Sequence, residues 1–226
     1  MNWIMLTVFI FLGLTNAEKV PERRAVLRRA TRRALESTGG SYFADIENEI
    51  INNCVENGLS SSGADDLKVT FAKMKYCMSG TSIYKIAKNE YISKIEECSR
   101  DAFRDSTACL ANKQKYLPEF VLDYVQSIVE YLYDVKDLYA DSEIIGCLKN
   151  FGRYAIQIEY IKCLATESQK AGADQNIPNS RQEYCRIYVP ASQCFPNTYK
   201  QYCPNTEKIN KLFTDFNNAV MSPCQE

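Results

Sequence analysis

The sequence predicts an all-α fold, a single disulfide-stapled helical domain of about seven helices. Apolar residues recur every three or four positions from Phe43 onward, and no alternating pattern of comparable length predicts a strand. The seven prolines lie near the N-terminus or between the periodic segments. Ten cysteines, an even number, favour five disulfide bonds that reinforce an apolar core.

The first two helices are bounded by residues that favour helix ends. The first stops near Asn57-Gly58, since glycine there readily takes the left-handed conformation that follows a helix. A loop over 60–64 comes next, and either Asp65 or Asp66 caps a second helix that closes at Ser79-Gly80. Their expected core residues are Phe43, Ile46, Ile50 and Cys54 in the first, and Leu67, Phe71, Met74 and Met78 in the second.

The third and fourth helices have longer apolar rows. Thr81 starts the third, which runs to a turn at Arg104-Asp105-Ser106. Pro118 fits the first turn of the fourth, which has the strongest periodicity and is expected to exceed twenty residues. The expected core residues are Ile83, Ala87, Tyr91, Ile95, Cys98 and Ala102, followed by Val121, Val125, Ile128, Leu132, Val135 and Tyr139.

Asp141 or Ser142 begins a fifth helix, and Gly152 is a point where it can kink. Its expected apolar row is Ile144, Leu148, Phe151, Ala155 and Ile158. A loop over 170–179 follows. A shorter helix around Arg181–Tyr188 is broken by Pro190 and Pro196, and a last helix runs from Thr206 to Val220.

The N-terminus has the features of a secretory signal peptide, predicted over residues 1–17. An uncharged apolar run ends in Thr15-Asn16-Ala17, which places small residues at positions −3 and −1 of a cleavage site. The run is shorter than the roughly 20 residues of a spanning helix, so we expect no transmembrane segment in the mature chain. We predict a basic leader and linker over 18–40 and the cysteine-rich helical domain over 41–226.

The leader separates the charges of a chain whose totals almost cancel, with 27 Lys and Arg against 28 Asp and Glu. Residues 18–36 hold seven basic and three acidic side chains, leaving 20 basic and 25 acidic residues elsewhere. Three interpretations stay open: a solvated leader, a substrate for a processing protease that cuts at dibasic pairs, or a contact with a polyanion or membrane surface. The arginines concerned are Arg23, Arg24, Arg28, Arg29, Arg32 and Arg33.

Cysteines behind a signal peptide are expected to form disulfides in an oxidising compartment, and no tight Cys-x-x-Cys spacing favours zinc. Cys147 and Cys163 lie on one predicted helix about 24 Å apart, so they cannot bond each other. Bridges between Cys98 and Cys109 and between Cys163 and Cys185 are hypotheses. The ten cysteines are Cys54, Cys77, Cys98, Cys109, Cys147, Cys163, Cys185, Cys194, Cys203 and Cys224.

Composition argues against most enzyme classes. Without histidine there is no Ser-His-Asp triad, no imidazole base and no mixed His/Cys zinc site. Adjacent acids such as Asp65/Asp66 and Glu96/Glu97 diverge on a helix, so they do not form an acid/base couple. We therefore expect no catalytic residues, no cofactor and no metal, and a net charge of −1 predicts no nucleic-acid partner.

The C-terminal cysteine pattern resembles the insect 27 kDa haemolymph glycoprotein family. The resemblance rests on the eight-residue spacings between Cys185, Cys194 and Cys203 and on a closing helix that ends in Ser222-Pro223-Cys224. It covers about residues 41–226 and implies a secreted haemolymph protein without established catalysis. Cysteine-rich secreted nematode domains have a related pattern. The chain contains no Asn-x-Ser/Thr site, so N-glycosylation is not expected.

Two functions remain open at this point. The first is a secreted, extracellular, non-enzymatic protein that acts as an interaction or humoral module through its surface. The second is a carrier that holds a small apolar ligand, such as a lipid, hormone or plant compound, in an internal helical cavity. Tyr and Phe rows at helical spacing are expected to be core in either case.

Overall fold

The computed structural model describes residues 40–81, 83, 85–172 and 178–225. The predicted signal peptide and the leader through Gly39 lie outside the described residues. Regular structure within those ranges is helical throughout, which confirms the predicted all-α fold, and seven of the helices there have twelve or more residues. The α-helices are α1 (Gly40–Glu56), α2 (Ser61–Ser79), α3 (Lys88–Cys109), α4 (Leu117–Asp134), α5 (Ser142–Leu148), α6 (Tyr154–Lys170), α7 (Arg181–Ser192), α8 (Cys194–Tyr199) and α9 (Glu207–Met221). None of the described helices is both long enough and apolar enough to cross a membrane.

The connection between α1 and α2 is short because a left-handed glycine reverses the chain. Gly58 has φ of 98°, and α1 ends just before it as predicted. The predicted loop over 60–64 is wrong. The Ser60 hydroxyl accepts a hydrogen bond from the Gly63 N–H at 3.1 Å and caps α2, so Asp65 and Asp66 lie inside the helix and do not cap it.

Both predicted ends of the third helix are wrong. α3 begins at Lys88, and Ile83 is buried in the non-helical segment that precedes it. The expected turn at 104–106 is part of the helix, which continues to Cys109. Ser106 donates its hydroxyl proton to the Ala102 carbonyl oxygen at 2.6 Å, so its polar side chain is satisfied without a turn.

The fourth helix is confirmed in position and is shorter than predicted. α4 carries Pro118 in its first turn and ends at Asp134 after 18 residues, and a 3-10 helix over Lys136–Ala140 follows. Ile128, Leu132 and Val135 are buried as predicted. Val121 and Val125 are half-buried, because Phe120 and Tyr124 occupy the inner side near the start of the helix.

The predicted fifth helix is broken in two. The Asp141 carboxylate accepts hydrogen bonds from the N–H groups of Glu143 and Ile144 and caps α5, as expected. A 3-10 turn over Lys149–Gly152 then separates α5 from α6, at the place where Gly152 predicted a kink. The break changes which residues face inward, so the expected core position of Ala155 is wrong and that residue is exposed.

Prolines in the C-terminal region are accommodated within helices. α7 continues through Pro190 to Ser192, which corrects the prediction that Pro190 breaks it. Pro190 lies in the last turn, where its missing N–H removes only the backbone bond to the Arg186 carbonyl. Pro196 lies in the first turn of α8. α9 begins after its Thr206 cap, close to the predicted start.

All ten cysteines are paired. Neither hypothetical bridge forms: Cys98 and Cys109 lie on the same helix, three turns apart, and Cys163 bonds a cysteine of α8. Cys147 and Cys163 bond different partners, as expected, although they lie on separate helices. The pairs are Cys54–Cys109, Cys77–Cys98, Cys147–Cys203, Cys163–Cys194 and Cys185–Cys224.

The disulfides divide the helices into two groups. Two bridges lie within α1–α3, which we call the N-terminal helices, and three lie within 147–224, which includes α6–α8. α4 carries no cysteine and packs against α3 on one side and α9 on the other. Tyr133 donates to the Ile86 carbonyl at 2.9 Å, and Tyr131 donates to the Leu212 carbonyl at 3.2 Å. Contacts of α4 therefore join the two groups without a covalent bond.

Aromatic side chains fill much of the core around α8. The ring of Phe195 lies 4.8 Å from that of Tyr199 and 4.7 Å from that of Phe216, measured between centroids. Phe120 of α4 lies 4.5 Å from Tyr184 of α7. Edge-to-face and tilted contacts of this kind add to the free energy gained by burying the rings. The Tyr and Phe rows are thus core, as predicted.

Burial of Tyr199 makes stability sensitive to alkaline pH. Desolvation raises the pKa of Tyr199 to about 12, whereas a tyrosine in the unfolded chain titrates near 10. Above pH 10 the unfolded chain loses a proton that the folded chain keeps, so the free energy of unfolding falls as pH rises toward 12. In Tyr199→Phe, the loss between pH 9 and pH 11 is expected to be smaller by about 1 kcal/mol in urea denaturation. Tyr154→Phe, at an exposed position, should leave the loss unchanged, and an equal loss in all three proteins would contradict this prediction.

Candidate interaction surface

The residues that the sequence singled out do not converge on a catalytic site. The six leader arginines lie outside the described residues. Glu96 accepts a hydrogen bond from Gln126 at 2.6 Å, while Glu97 pairs with Lys94 at 3.1 Å, so the two carboxylates face different partners. No three His, Cys, Asp or Glu side chains within the described ranges are placed to hold a metal ion.

Large apolar side chains on the surface are concentrated on two helices. Five such residues are markedly exposed within the described part of the chain, and four of them lie on α2 and α6. The informative observation in a folded protein is a grouped apolar surface, because isolated exposed apolar residues are common. The four are Val69 and Tyr76 on α2, and Tyr154 and Ile161 on α6.

α6 carries two apolar faces. Ile156, Tyr160 and Leu164 face inward and are buried against neighbouring helices. Tyr154 and Ile161 lie seven residues apart on a different side, and they are 77% and 45% exposed. Two further apolar residues, Ile158 and Ala165, continue this row at spacings of four, three and four residues. We call these four positions, which extend about 16 Å along the helix, the outer face of α6.

The outer face of α6 has the spacing of a helix-binding surface. Positions separated by four and three residues lie in one line along a helix, as in the seam where two helices pack together. The 3-10 turn at 149–152 sets this arrangement, because it starts α6 in a new phase. The prediction that Ile158 belongs to the core is wrong, since this residue is half-buried on the outer side. A second apolar row within α6 was the signal that could have indicated the surface.

Polar contacts fix the start of α6. Tyr202 donates its phenol proton to Glu159 at 2.6 Å, and the Asn150 amide donates to the Tyr202 carbonyl at 2.6 Å. The hydrogen bond to Glu159 is the main reason that the pKa of Tyr202 is raised, and the charge of Glu159 contributes further. The bridge from Cys163 to Cys194 holds the middle of α6 against α8. A rigid helix loses little conformational entropy when a partner binds to it.

α2 has a smaller apolar row on its surface. Val69 is 52% exposed and Tyr76 is 83% exposed, and the exposed Ala72 lies between them. These three residues, which we call the outer face of α2, are spaced by three and four positions and point away from the buried Leu67 and Phe71.

No protein-family model, no curated protein and no solved structure matches the chain.

Proposed function

We propose that this chain is a secreted, non-enzymatic protein of an extracellular fluid that binds a protein partner through the outer face of α6. The observation that carries the proposal is the row of Tyr154, Ile158, Ile161 and Ala165 on the surface of a disulfide-held helix. Protein interfaces are enriched in aromatic residues and are more apolar at their centre than the rest of the surface, which fits an exposed tyrosine within an apolar row.

The extracellular setting is supported by the cysteines. Five disulfides and no free thiol are typical of proteins that fold in an oxidising compartment. The predicted signal peptide over 1–17 and the resemblance of residues 41–226 to the haemolymph glycoprotein family point to the same setting. The signal peptide and the resemblance are predictions from the sequence, and they form part of this proposal.

A non-enzymatic role is supported by the side chains at hand. The chain has no histidine, and the carboxylates of Glu96 and Glu97 each face another side chain. The geometry of the outer face of α6 fits the binding of an amphipathic helix, whose own apolar residues at positions i, i+3 or i+4, and i+7 would lie along it.

The proposal is tested with three immobilised forms of the protein exposed to extracellular fluid from the source organism. One is unaltered, one carries Tyr154→Ser with Ile161→Ser, and one carries Thr166→Ala with Lys170→Ser, at two exposed positions on the polar side of the same helix, away from its outer face. A partner identified by quantitative mass spectrometry on the unaltered protein is then titrated against all three. We expect the first variant to bind about 30-fold more weakly or worse, the effect of losing an aromatic hot spot, and the second to bind normally.

Equal retention by all three forms would contradict the proposal, because it would place the binding site elsewhere. Far-ultraviolet circular dichroism and resistance to urea check that each variant keeps the fold. Since both substituted residues are exposed, we expect their effect on stability to stay within about 0.5 kcal/mol.

A further inference from the structure

The bridge between Cys185 and Cys224 is more accessible than the other four. Both of its cysteines are half-buried, whereas each of the other bridges includes a buried cysteine. A thiolate must reach a sulfur atom before it can exchange with a disulfide, so access limits the rate of reduction. Solvent exposure therefore favours attack at this bridge. The buried cysteines of the other bridges, each 8% exposed or less, are Cys54, Cys98, Cys147 and Cys194.

Arg181 places a positive charge beside the same bridge. It lies one turn before Cys185 on α7, on the same side of the helix. Its Nε donates a hydrogen bond at 2.9 Å to the carbonyl of Pro223, the residue before Cys224. Asp123 of α4 lies 3.5 Å from the guanidinium and offsets part of the charge. A neighbouring guanidinium stabilises a thiolate, which is the form in which a cysteine leaves when its disulfide is cleaved.

The bridge attaches a short segment to α7. Residues 222–224 form a single 3-10 turn that packs against α4, α7 and α9, and Pro223 within it is buried. The hydrogen bond from Arg181 is a second link between this turn and α7. Cleavage of the bridge leaves the turn with one buried proline and this hydrogen bond, which is little to hold three residues in place.

The helix before this turn is held by contacts that do not need the bridge. α9 packs against α4, where Tyr131 donates to the Leu212 carbonyl at 3.2 Å. The Gln193 amide, just after α7, donates to Asn217 at 2.7 Å. The bridge from Cys147 to Cys203 holds the chain just before α9. Opening at Cys185 is therefore local, because α9 remains fixed at its start and along its length.

We propose that the bridge between Cys185 and Cys224 is a redox modification site, which a dithiol reductant cleaves while the other four bridges stay intact. Its cleavage releases residues 222–224 from α4 and α7 and leaves the helical domain folded. This inference concerns a different part of the molecule from the proposed partner site and does not depend on it.

Cleavage takes two thiol–disulfide exchanges. A thiolate of the dithiol attacks one sulfur atom of the bridge, the S–S bond breaks, and the other cysteine leaves as a thiolate. The second thiol of the reductant then loses its proton and attacks the mixed disulfide, which releases the remaining cysteine. The reductant gives up two electrons and becomes a disulfide, and two protons from solvent replace those it lost and end on Cys185 and Cys224.

The reduced form differs from the oxidised form in its surface. Release of Pro223 uncovers the part of α4 and α7 on which it lies. Arg181 keeps its contact with Asp123 and with the ring of Phe120, whose centroid is 5.6 Å from the guanidinium carbon. The protein thus gains two thiols and a newly exposed patch beside a cation, and an oxidant that restores the bridge closes that patch again.

Stepwise reduction with dithiothreitol, a small dithiol, tests the inference. The native protein is treated without denaturant, and thiols that appear are blocked with N-ethylmaleimide. The remaining bridges are then reduced in denaturant, labelled with iodoacetamide and assigned by peptide mapping. We expect Cys185 and Cys224 to take the first label at least tenfold faster than Cys77 and Cys98, a bridge that also has one half-buried cysteine.

Hydrogen exchange shows whether the opening is local. In the selectively reduced protein we expect residues 222–225 to exchange at least tenfold faster and the middle of α9 to stay unchanged. Oxidised glutathione should restore both the bridge and the slow exchange. Cys185→Ser with Cys224→Ser should reproduce the fast exchange without reductant, whereas Cys77→Ser with Cys98→Ser should leave residues 222–225 protected.

Four outcomes would overturn the inference. Two concern order: first labelling at another bridge, or simultaneous labelling of all ten cysteines. The other two concern extent: selective reduction that leaves residues 222–225 as protected as before, or that removes protection throughout α9. Loss of partner binding at the outer face of α6 has no bearing on any of them, so the two proposals fail separately.

Discussion

Replacing Ile128 by alanine is expected to lower the free energy of unfolding by about 2–5 kcal/mol. Ile128 is fully buried in α4, the helix whose contacts join the two disulfide-linked groups. Removal of its side chain leaves a cavity in a core that cannot collapse freely, since a disulfide holds α3 on one side and the bridges at Cys203 and Cys224 hold the two ends of α9 on the other. Urea denaturation followed by circular dichroism gives the measurement.

Ile161→Ala is the matched control for this substitution. It removes the same atoms from a helix position that is 45% exposed, so we expect a change within about 0.5 kcal/mol. Similar losses in both variants would mean that α4 is not the connection that the structure indicates. Hydrogen exchange should also show that Ile128→Ala lowers protection in α3 and α9 together, because α4 packs against both.

Removal of the bridge between Cys54 and Cys109 by alanine substitution is expected to cost about 4 kcal/mol. This bridge closes a separation of 55 residues, and in the chain-entropy account a longer loop gives a larger stabilisation. The bridge between Cys77 and Cys98 closes only 21 residues, so its removal should cost about 3 kcal/mol. Cys54 is also fully buried, and the lost packing adds to the same difference.

Denaturant unfolding of the two double variants gives the comparison, and a reversed order would contradict it. Hydrogen exchange adds a test of location. In the Cys54→Ala, Cys109→Ala variant we expect α1 to lose protection first, because α1 is attached to α3 by that bridge. The three bridges at 147–224 remain intact, so α6–α8 should change least.

Much of the fold was predictable because its signals are local. Gly58, Ser79-Gly80, Pro118, Asp141 and Thr206 all mark helix ends, through chemistry that depends on a few neighbouring residues. The errors arose at residues that often end a helix but can also be accommodated within one. Ser106 suggested a turn, yet its hydroxyl bonds a carbonyl within the helix. Pro190 suggested a break, yet it lies in a last turn that loses only one bond.

The disulfide pairing and the candidate surfaces depend on tertiary structure. Cys147 and Cys163 bond different partners as predicted, although the prediction placed them on one helix, and spacing does not reveal that Cys163 meets Cys194, because that contact requires α8 to fold back on α6. The outer face of α6 was hidden for a related reason. α6 has apolar residues on two sides, and only the packing of its neighbours decides that Tyr160 is buried while Tyr154 is exposed.

The separation of the bridges into two sets also bears on how the protein acquires them. In the secreted chain that we propose, the four cysteines up to Cys109 would enter an oxidising lumen before the other six, and their two native bonds need no later residue. Four cysteines allow 3 pairings and six allow 15, so the native pairing is selected from a small number of alternatives in each of two successive steps. Under that proposal, disulfide formation would begin on the first half of a nascent chain before the second half emerges.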